Sequence, residues 1–506
     1  MRLRRMAMRA AACAIAPILV ASVALAATPA AKKAATAGSS KPSKKATATM
    51  TDRTAPPPLP PAPSLHLPKP QTTTLANGLE LVVVENHQAP VVDVTLVTRA
   101  GAVRDPADLP GLATFTAGML DEGAGKRTSP QIAEEAEYLG AELSASAGLE
   151  AALVSLHVPR NGLEAGLDLF ADVALRPTFP DSEIVRQREL RRASLLQLRD
   201  QPNAIAPVAF NGVLFGQSHP YGRPANGDDA STEKLDRARV LAFYQQYYTP
   251  GDSKILFVGD VTPDEARKMA EARFGAWSGK PPAALPAVTV AAPAPRAFYI
   301  IDKPDAPQSV IRIGNVGVER ATPDYYAIQV MNTLLGGAFT SRLNQNLREK
   351  HGYTYGASSQ FEMRRLAGPF RASAAVATAK TDSAVVEFLY ELRRIRNAAP
   401  PADEIEKTQN YLTLGLPGEF EATADAAQRF VDLLVNDLPL DTWDHYTAGI
   451  EAVTPADVQR VARKYVDPDH FVMVVVGDRK AIEPGLKGLG EGDVNVRDLW
   501  GKEARP

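Results

Sequence analysis

The side chains best able to grip or polarise a carbonyl cluster in one stretch, Leu334 to Tyr355. It contains Gly336-Gly337, Ser341-Arg342, Arg348-Glu349-Lys350-His351-Gly352 and then Tyr353 and Tyr355. A guanidinium and a phenol seven positions apart can converge on a carbonyl oxygen or an oxyanion, placing donors where negative charge develops. A plainer reading pairs Arg348 with a surface carboxylate and half-buries Tyr355 in a sheet. The glycine pair is not a phosphate loop, because no Gly-Lys-Ser/Thr follows it. Metal chemistry has little to draw on. The seven histidines (His66, His87, His157, His219, His351, His445 and His470) include no pair at i, i+3 or i+4, and Cys13 is the one cysteine. His219 reads as a turn residue and His351 as a cation at a helix C-terminus, favourable against the helix dipole.

Local signals say how Arg348 and Tyr355 must be carried. Thr322 and Pro323 open a helix, and Ala327, Val330, Met331, Leu334 and Leu335 give it one apolar face. Gly336-Gly337 breaks it. Ser341 caps the next helix, Leu343 and Leu347 face inward, and Gly352 ends it. Tyr353, Tyr355 and Ala357 then alternate as a strand begins. Arg348 is thus expected on a last helical turn and Tyr355 just inside a strand.

The rest of the chain repeats itself. Tyr248-Thr249-Pro250 leads into the apolar run Ile255–Val258 and Gly259-Asp260; about 220 residues later Tyr465-Val466-Asp467-Pro468 leads into Val472–Val476 and Gly477-Asp478. A helix, Val240 to Tyr247 or Val458 to Tyr465, precedes each. One repeat at this spacing is a duplicated domain and not a solenoid. The Asn77-Gly78 turn between extended segments and the strands Leu81–Val84 and Val91–Val97 add hairpins to helices, so the expected class is α+β: two homologous domains, each a mostly antiparallel sheet packed by helices. The expected boundaries are an N-terminal domain over 65–280, a Pro/Ala-rich linker over 281–296, a C-terminal domain over 297–490 and a tail over 491–506.

The N-terminus reads as an export signal over 1–26: Arg2, Arg4 and Arg5, an apolar stretch, then Ala24-Leu25-Ala26. A disordered Ala/Lys/Pro-rich linker follows over 27–64. The mature chain would lack cysteine and reside in a periplasm, with an uncleaved anchor as the alternative. No later run is long and apolar enough to span a membrane. At 506 residues the chain exceeds one compact core, and 56 Lys+Arg against 58 Asp+Glu leaves no basic footprint for nucleic acid.

The Leu335–Tyr355 stretch resembles the C-terminal-half motif of the M16 (pitrilysin or insulinase-like) zinc peptidases, especially two-domain members related to mitochondrial processing peptidase. It is similar at Leu335, Gly336, Gly337, Ser341, Arg342, Leu343, Leu347, Arg348, Glu349, Lys350, Gly352 and Tyr355, and departs at Thr340. The resemblance extends over His219-Pro220-Tyr221-Gly222 and the paired Val-Gly-Asp ends. It implies that Arg348 and Tyr355, with Gly336 and Gly337, bind substrate backbone, and that the Arg/Tyr pair helps to stabilise the tetrahedral intermediate. Active members also carry His-x-x-Glu-His on an early helix and a third glutamate ligand further on. In the matching stretch Thr114 and Gly118 stand where the histidines would be, Ala117 replaces the glutamate, and Ala193 falls at the third ligand. Asp121, Glu122 and Glu189 nearby read as solvated helix charges.

The expectation is therefore a non-catalytic, substrate-binding subunit of a heteromeric periplasmic peptidase. This chain binds no cofactor, zinc belongs to a homologous partner bearing His-x-x-Glu-His, and the substrate is a peptide. A different class stands beside it: a pseudopeptidase acting alone as a peptide-binding scaffold or holdase. An independent zinc peptidase would need chelator-sensitive proteolysis by the single chain.

Overall fold

A computed structural model describes residues 67–285, 288 and 294–504. The export signal over 1–26 and the linker over 27–64 lie outside the described residues, as does most of 286–293 within the second linker.

The central strands are largely apolar runs of six to nine residues, and the edge strands are shorter or more polar. The first half supplies β1 (Gln71–Thr74), β2 (Glu80–Glu85), β3 (Val91–Thr98), the short ribbon β4 (Gly123–Ala124) with β5 (Arg127–Thr128), β6 (Glu142–Ala147), β7 (Ala152–Pro159) and β8 (Ser253–Gly259). The second half supplies β9 (Ala297–Asp302), β10 (Gln308–Val316), β11 (Thr354–Phe361), β12 (Pro369–Ala377), β13 (Val472–Gly477) and β14 (Asp493–Arg497). The first sheet runs β1-β2-β8-β3-β7-β6 and the second, read from the corresponding edge, β14-β9-β13-β10-β12-β11. β2 and β8 pair in parallel, as do β9 and β13. β3 is antiparallel to both β8 and β7, and β10 to both β13 and β12. The two halves therefore share one topology, differing at the far edge: β1 lies antiparallel to β2 and β14 parallel to β9. Both sheets are mixed and packed by helices, which is the expected α+β architecture.

Each half lends the other a helix. Pro202–Phe215, from the first half, packs on β10 and β13, where Ile205, Ala209 and Phe210 meet Val310, Val474 and Val476. Thr423–Val435, from the second half, packs on β3 and β8, and its Phe430 is buried in a cluster shared with Val97, Leu256 and Val258. A sheet face of Val, Ile and Leu must be covered, and here the cover arrives from across the chain. Residues 62–506 accordingly group as one compact unit. The turn after the Thr423–Val435 helix is tied down as well. Asp437, at φ 52, accepts ion pairs from Arg99, Lys254 (3.3 Å) and Arg365 (3.1 Å), so two cations of the first half and one of the second meet on it. No described helix is long and apolar enough to cross a membrane.

Candidate functional site

Arg348 and Tyr355 ride on a helix and strand that touch each other. The helix Tyr325–Asn332 continues into a wide turn over Thr333–Gly337, and a second wide helical turn spans Asn344–Lys350. Thr322 Oγ1 accepts from the Asp324 N–H (3.2 Å), which sets the entry to the first helix two residues later than a simple Thr322 cap would. The turns are wide because i→i+5 bonds close them: Ala338 N–H to Thr333 O (3.2 Å) and His351 N–H to Asn346 O (3.1 Å). Such turns are uncommon and recur at functional sites. Gly352 then takes φ 63, ending the helix as expected, and Tyr353 N–H reaches back to Leu347 O (2.9 Å).

The glycine pair divides its work. Gly336 is buried, and a Cβ there would collide with the backbone nitrogen of Ser359 on β11. Its missing side chain lets the helix end lie directly on the strand. Gly337 is exposed, and a Cβ there would lie 3.2 Å from the Asn332 side chain, 3.3 Å from the Asn332 carbonyl oxygen and 3.4 Å from Thr333 Oγ1. Asn344 fastens the assembly: its Oδ1 accepts from Ala357 N–H of β11 (2.9 Å), while its Nδ2 donates to Ala338 O and Ser341 Oγ (both 3.3 Å). Ser359 Oγ donates to Asn332 Oδ1 (2.9 Å) on the other side.

Strand alternation would turn Tyr355 to the same face as buried Ala357. It does not, because the β11–β12 register slips between Thr354 and Ala357. Thr354 Oγ1 holds the bulge, accepting from Gly356 N–H (3.1 Å) and donating to Ala375 O (2.7 Å). Tyr355 is consequently 93% exposed. Bulges re-aim side chains in this way. Arg348 is half-buried; its guanidinium lies 4.1 Å from the ring centre of Phe339, itself 68% exposed, and 3.3 Å from Glu349. Among the described residues no hydrogen bond joins Arg348 to Tyr355. Both are free to turn toward a ligand, beside a β11 whose outer edge has no strand partner. Phe339 was not singled out from sequence; a large aromatic two residues after the glycine pair, off the apolar stripe, was the available signal.

The corresponding region of the first half is built differently. The helix Leu112–Ala117 is short, and Asp105 caps it, accepting from Gly111 N–H and Ala113 N–H (both 2.7 Å). Burial pushes the Asp105 carboxyl up to about 7, against the pull of those two bonds and of Arg223 and Arg191. Thr114 Oγ1 donates to Ala225 O (2.9 Å), Ala117 is fully buried, and Gly118 closes the helix. Ala193 is exposed on the helix Asp181–Leu198. That helix is joined to the short one by Arg191, which donates to Gly111 O (2.7 Å) and stacks over Phe115, 5.0 Å from its ring centre. Burial draws Arg191 down to about 10, with Asp105 opposing. Among the described residues no group of three or more His, Cys, Asp or Glu is placed to hold a metal ion. Glu122 departs from the solvated reading: it is buried and bonded by Arg186 and Gln187. His219 does act in a turn, its Nδ1 accepting from Tyr221 N–H (3.0 Å), and His351 sits at its helix end 3.6 Å from Glu387.

Two sequence profiles of one family cover most of this architecture. Residues 81–211 match insulinase (peptidase family M16), and residues 234–412 match the peptidase M16 inactive domain. The chain belongs to the M16 peptidase family. It is 26% identical over 424 residues to an uncharacterized zinc protease of Mycobacterium tuberculosis, covering 83% of this chain and 96% of that one. An uncharacterized zinc protease of Mycobacterium leprae is 28% identical over 296 residues, 58% of this chain and 65% of that one. A probable mitochondrial-processing peptidase subunit beta of Arabidopsis thaliana is 23% identical over 427 residues, with 82% and 79% covered. Among solved structures, the peptidase M16 inactive domain from Pseudomonas fluorescens superposes with TM-score 0.76 at 27% identity, over 81% of this chain and 98% of that one. A protease from Helicobacter pylori gives TM-score 0.76 at 19% identity, over 81% and 100%.

Proposed function

We propose that this chain is the substrate-holding, non-catalytic subunit of a heteromeric M16 peptidase of the periplasm, working with a homologous partner that carries His-x-x-Glu-His and zinc. One observation carries the reading: Arg348 and Tyr355 are presented beside an open strand edge, whereas the metal-helix positions offer no ligand set. Ala117, Gly118 and Ala193 have no donor atom, and the Thr114 hydroxyl is committed to Ala225 O. Arg191, bonded to Gly111 O at the start of that helix, would also repel a divalent cation. The donor set does not fit zinc, and no step is routed through a metal on this chain. That a relative is called a subunit of a processing peptidase agrees with a two-chain enzyme.

The chain's own residues have defined tasks. An extended peptide adds to β11, exchanging hydrogen bonds with main-chain groups at its open edge. The Tyr355 phenol donates to the peptide oxygen as negative charge grows on it. Arg348 holds a neighbouring substrate carbonyl. Its present partner, Glu349, is an exposed ion pair worth at most about 1 kcal/mol, so exchanging it for substrate costs little. The test is peptide hydrolysis by the purified pair. Tyr355→Phe keeps the ring and removes the donor, and should lower kcat/KM by roughly a hundredfold. An unchanged kcat/KM removes Tyr355 from the mechanism.

The second reading, a peptide-binding scaffold or holdase without hydrolysis, draws on the exposed Tyr355 and Phe339 beside the same open edge. Tight peptide binding by the lone chain, with no zinc peptidase co-purifying, would favour it.

A further inference from the structure

The helical turn that carries Arg348 has a second face, and it fronts a cavity the proposed chemistry does not use. This groove, about 1040 Å³, lies between the two wide turns of the motif and the helices Thr381–Asn397 and Ala402–Gly415. Arg342, Asn346 and Lys350 line it, whereas Arg348 and Phe339 do not. On the opposite wall Lys407, Tyr411 and Leu414 follow one another at i, i+4 and i+7, a single exposed stripe of the Ala402–Gly415 helix. Tyr390, Tyr411 and Leu414 are 54%, 59% and 48% exposed, so large apolar side chains of both helices face solvent at the groove.

The charges around it are unequal. Arg342 is paired with Glu404 (3.0 Å through Nε) and Arg394 with Glu391 (3.3 Å). Lys350 and Lys407, one on each wall, have no ion-pair partner among the described residues. Asn346, 4% exposed, donates to Glu387 and Glu391 (both 2.9 Å), yet its Oδ1 is without a partner. The groove thus offers two free cations flanking aromatic and aliphatic surface. The chain's own 27–64 segment, with Lys32, Lys33, Lys41, Lys44 and Lys45, has the wrong sign to fill it.

We infer that this groove docks a segment of the partner subunit in which two carboxylates flank an aromatic or aliphatic side chain. The inference rests on the two-chain reading above. A partner held here would brace the Asn344–Lys350 turn from behind while Arg348, on its other side, stays open to substrate.

The test uses the full chain, its partner and a fluorescein-labelled peptide of alternating Glu with Phe or Leu, beside the same peptide with Lys for Glu. Lys350→Glu with Lys407→Glu changes only exposed side chains, and an unaltered melting temperature confirms the fold. The acidic peptide should bind the wild-type chain, weaken at raised salt, and lose roughly tenfold or more in affinity for the double variant. The basic peptide should not bind. Sedimentation of the two-chain complex should show a similar loss of association for the double variant and for Tyr411→Ser, with none for Tyr355→Phe. Equal binding of acidic and basic peptides, or unaltered assembly of the double variant, overturns the docking site while leaving the hydrolysis test of Tyr355 intact. Weakened assembly together with unaffected hydrolysis by Tyr355→Phe keeps the docking site and rejects that residue's catalytic role.

Discussion

The two halves of the chain follow the same course and end it with different side chains. In each, a helix closes on a glycine at almost the same positive φ, 62 for Gly140 and 63 for Gly352, and an edge strand follows, β6 or β11. Four residues before the glycine stand Ala136 and Arg348; three residues after it stand Leu143 and Tyr355. The course of helix, glycine and edge strand is therefore present twice, but only the second copy adds the wide turn and the bulge that carry an arginine and a tyrosine. The Leu112–Ala117 helix tells the converse story. It is short, capped by Asp105 and strapped by Arg191, and Thr114, Ala117 and Gly118 bring no imidazole or carboxylate to it. The sheet topology was duplicated with the fold, whereas the wide turn, the bulge and the side chains they carry belong to the second half.

The sharpest way to break the comparison is through the exchanged helices. Phe210 and Phe430 are each buried against the other half's sheet. Phe→Ala at either site should cost about 3–5 kcal/mol. Because each helix closes the opposite core, both variants should melt in one transition monitored from either sheet. Two separated transitions would show that the halves are independent after all.

Next in size is the contrast between the equipped and unequipped turns. In the proposed two-chain enzyme Tyr355→Phe should cost roughly a hundredfold in kcat/KM, whereas Leu143→Phe at the equivalent first-half position should leave kcat/KM near wild type. Comparable losses at both would mean that the two edge strands share the reaction.

The glycine pair sharpens the point at smaller scale. Gly336→Ala forces a methyl against the Ser359 backbone and should destabilise by about 1–3 kcal/mol in urea unfolding. Gly337→Ala meets no atom closer than the Asn332 side chain at 3.2 Å and its carbonyl oxygen at 3.3 Å, and should stay within about 1 kcal/mol of wild type.

How much of this was legible follows from the range of each signal. The apolar runs Ile255–Val258 and Val472–Val476 mark β8 and β13 because strand burial is written locally. Gly352 likewise marks a left-handed helix end in its own residue type. The exchange of Pro202–Phe215 and Thr423–Val435 leaves no local trace, since an apolar helix face does not record whose sheet it covers. The exposure of Tyr355 was hidden for a related reason: it depends on a bulge held by Thr354 and by the β12 carbonyl of Ala375, a residue distant in sequence. Arg191 reads as one more cation on a helix of many, and only the fold reveals that it straps the Leu112–Ala117 helix in place.

The smallest effect concerns Asp105, the cap of the Leu112–Ala117 helix. Its folded carboxyl titrates near 7 and its unfolded one near 3.8, so the native state takes up the proton more readily. That favours folding fully below the unfolded value and fades as pH rises through the folded one. Asp105 should therefore make the chain less stable as pH climbs from about 4 to about 7. Asp105→Asn keeps one acceptor for the Gly111 or Ala113 N–H and abolishes the titration, so its stability should fall less over that window than the wild type's. Urea midpoints at matched pH values decide it. Parallel curves would mean that the two backbone donors and Arg191 hold the carboxylate charged throughout. The first-half helix would then be anchored by a charged carboxylate, as the start of the Tyr325–Asn332 helix is by Asp324, paired with Arg460 (2.7 Å) and Lys464 (2.9 Å).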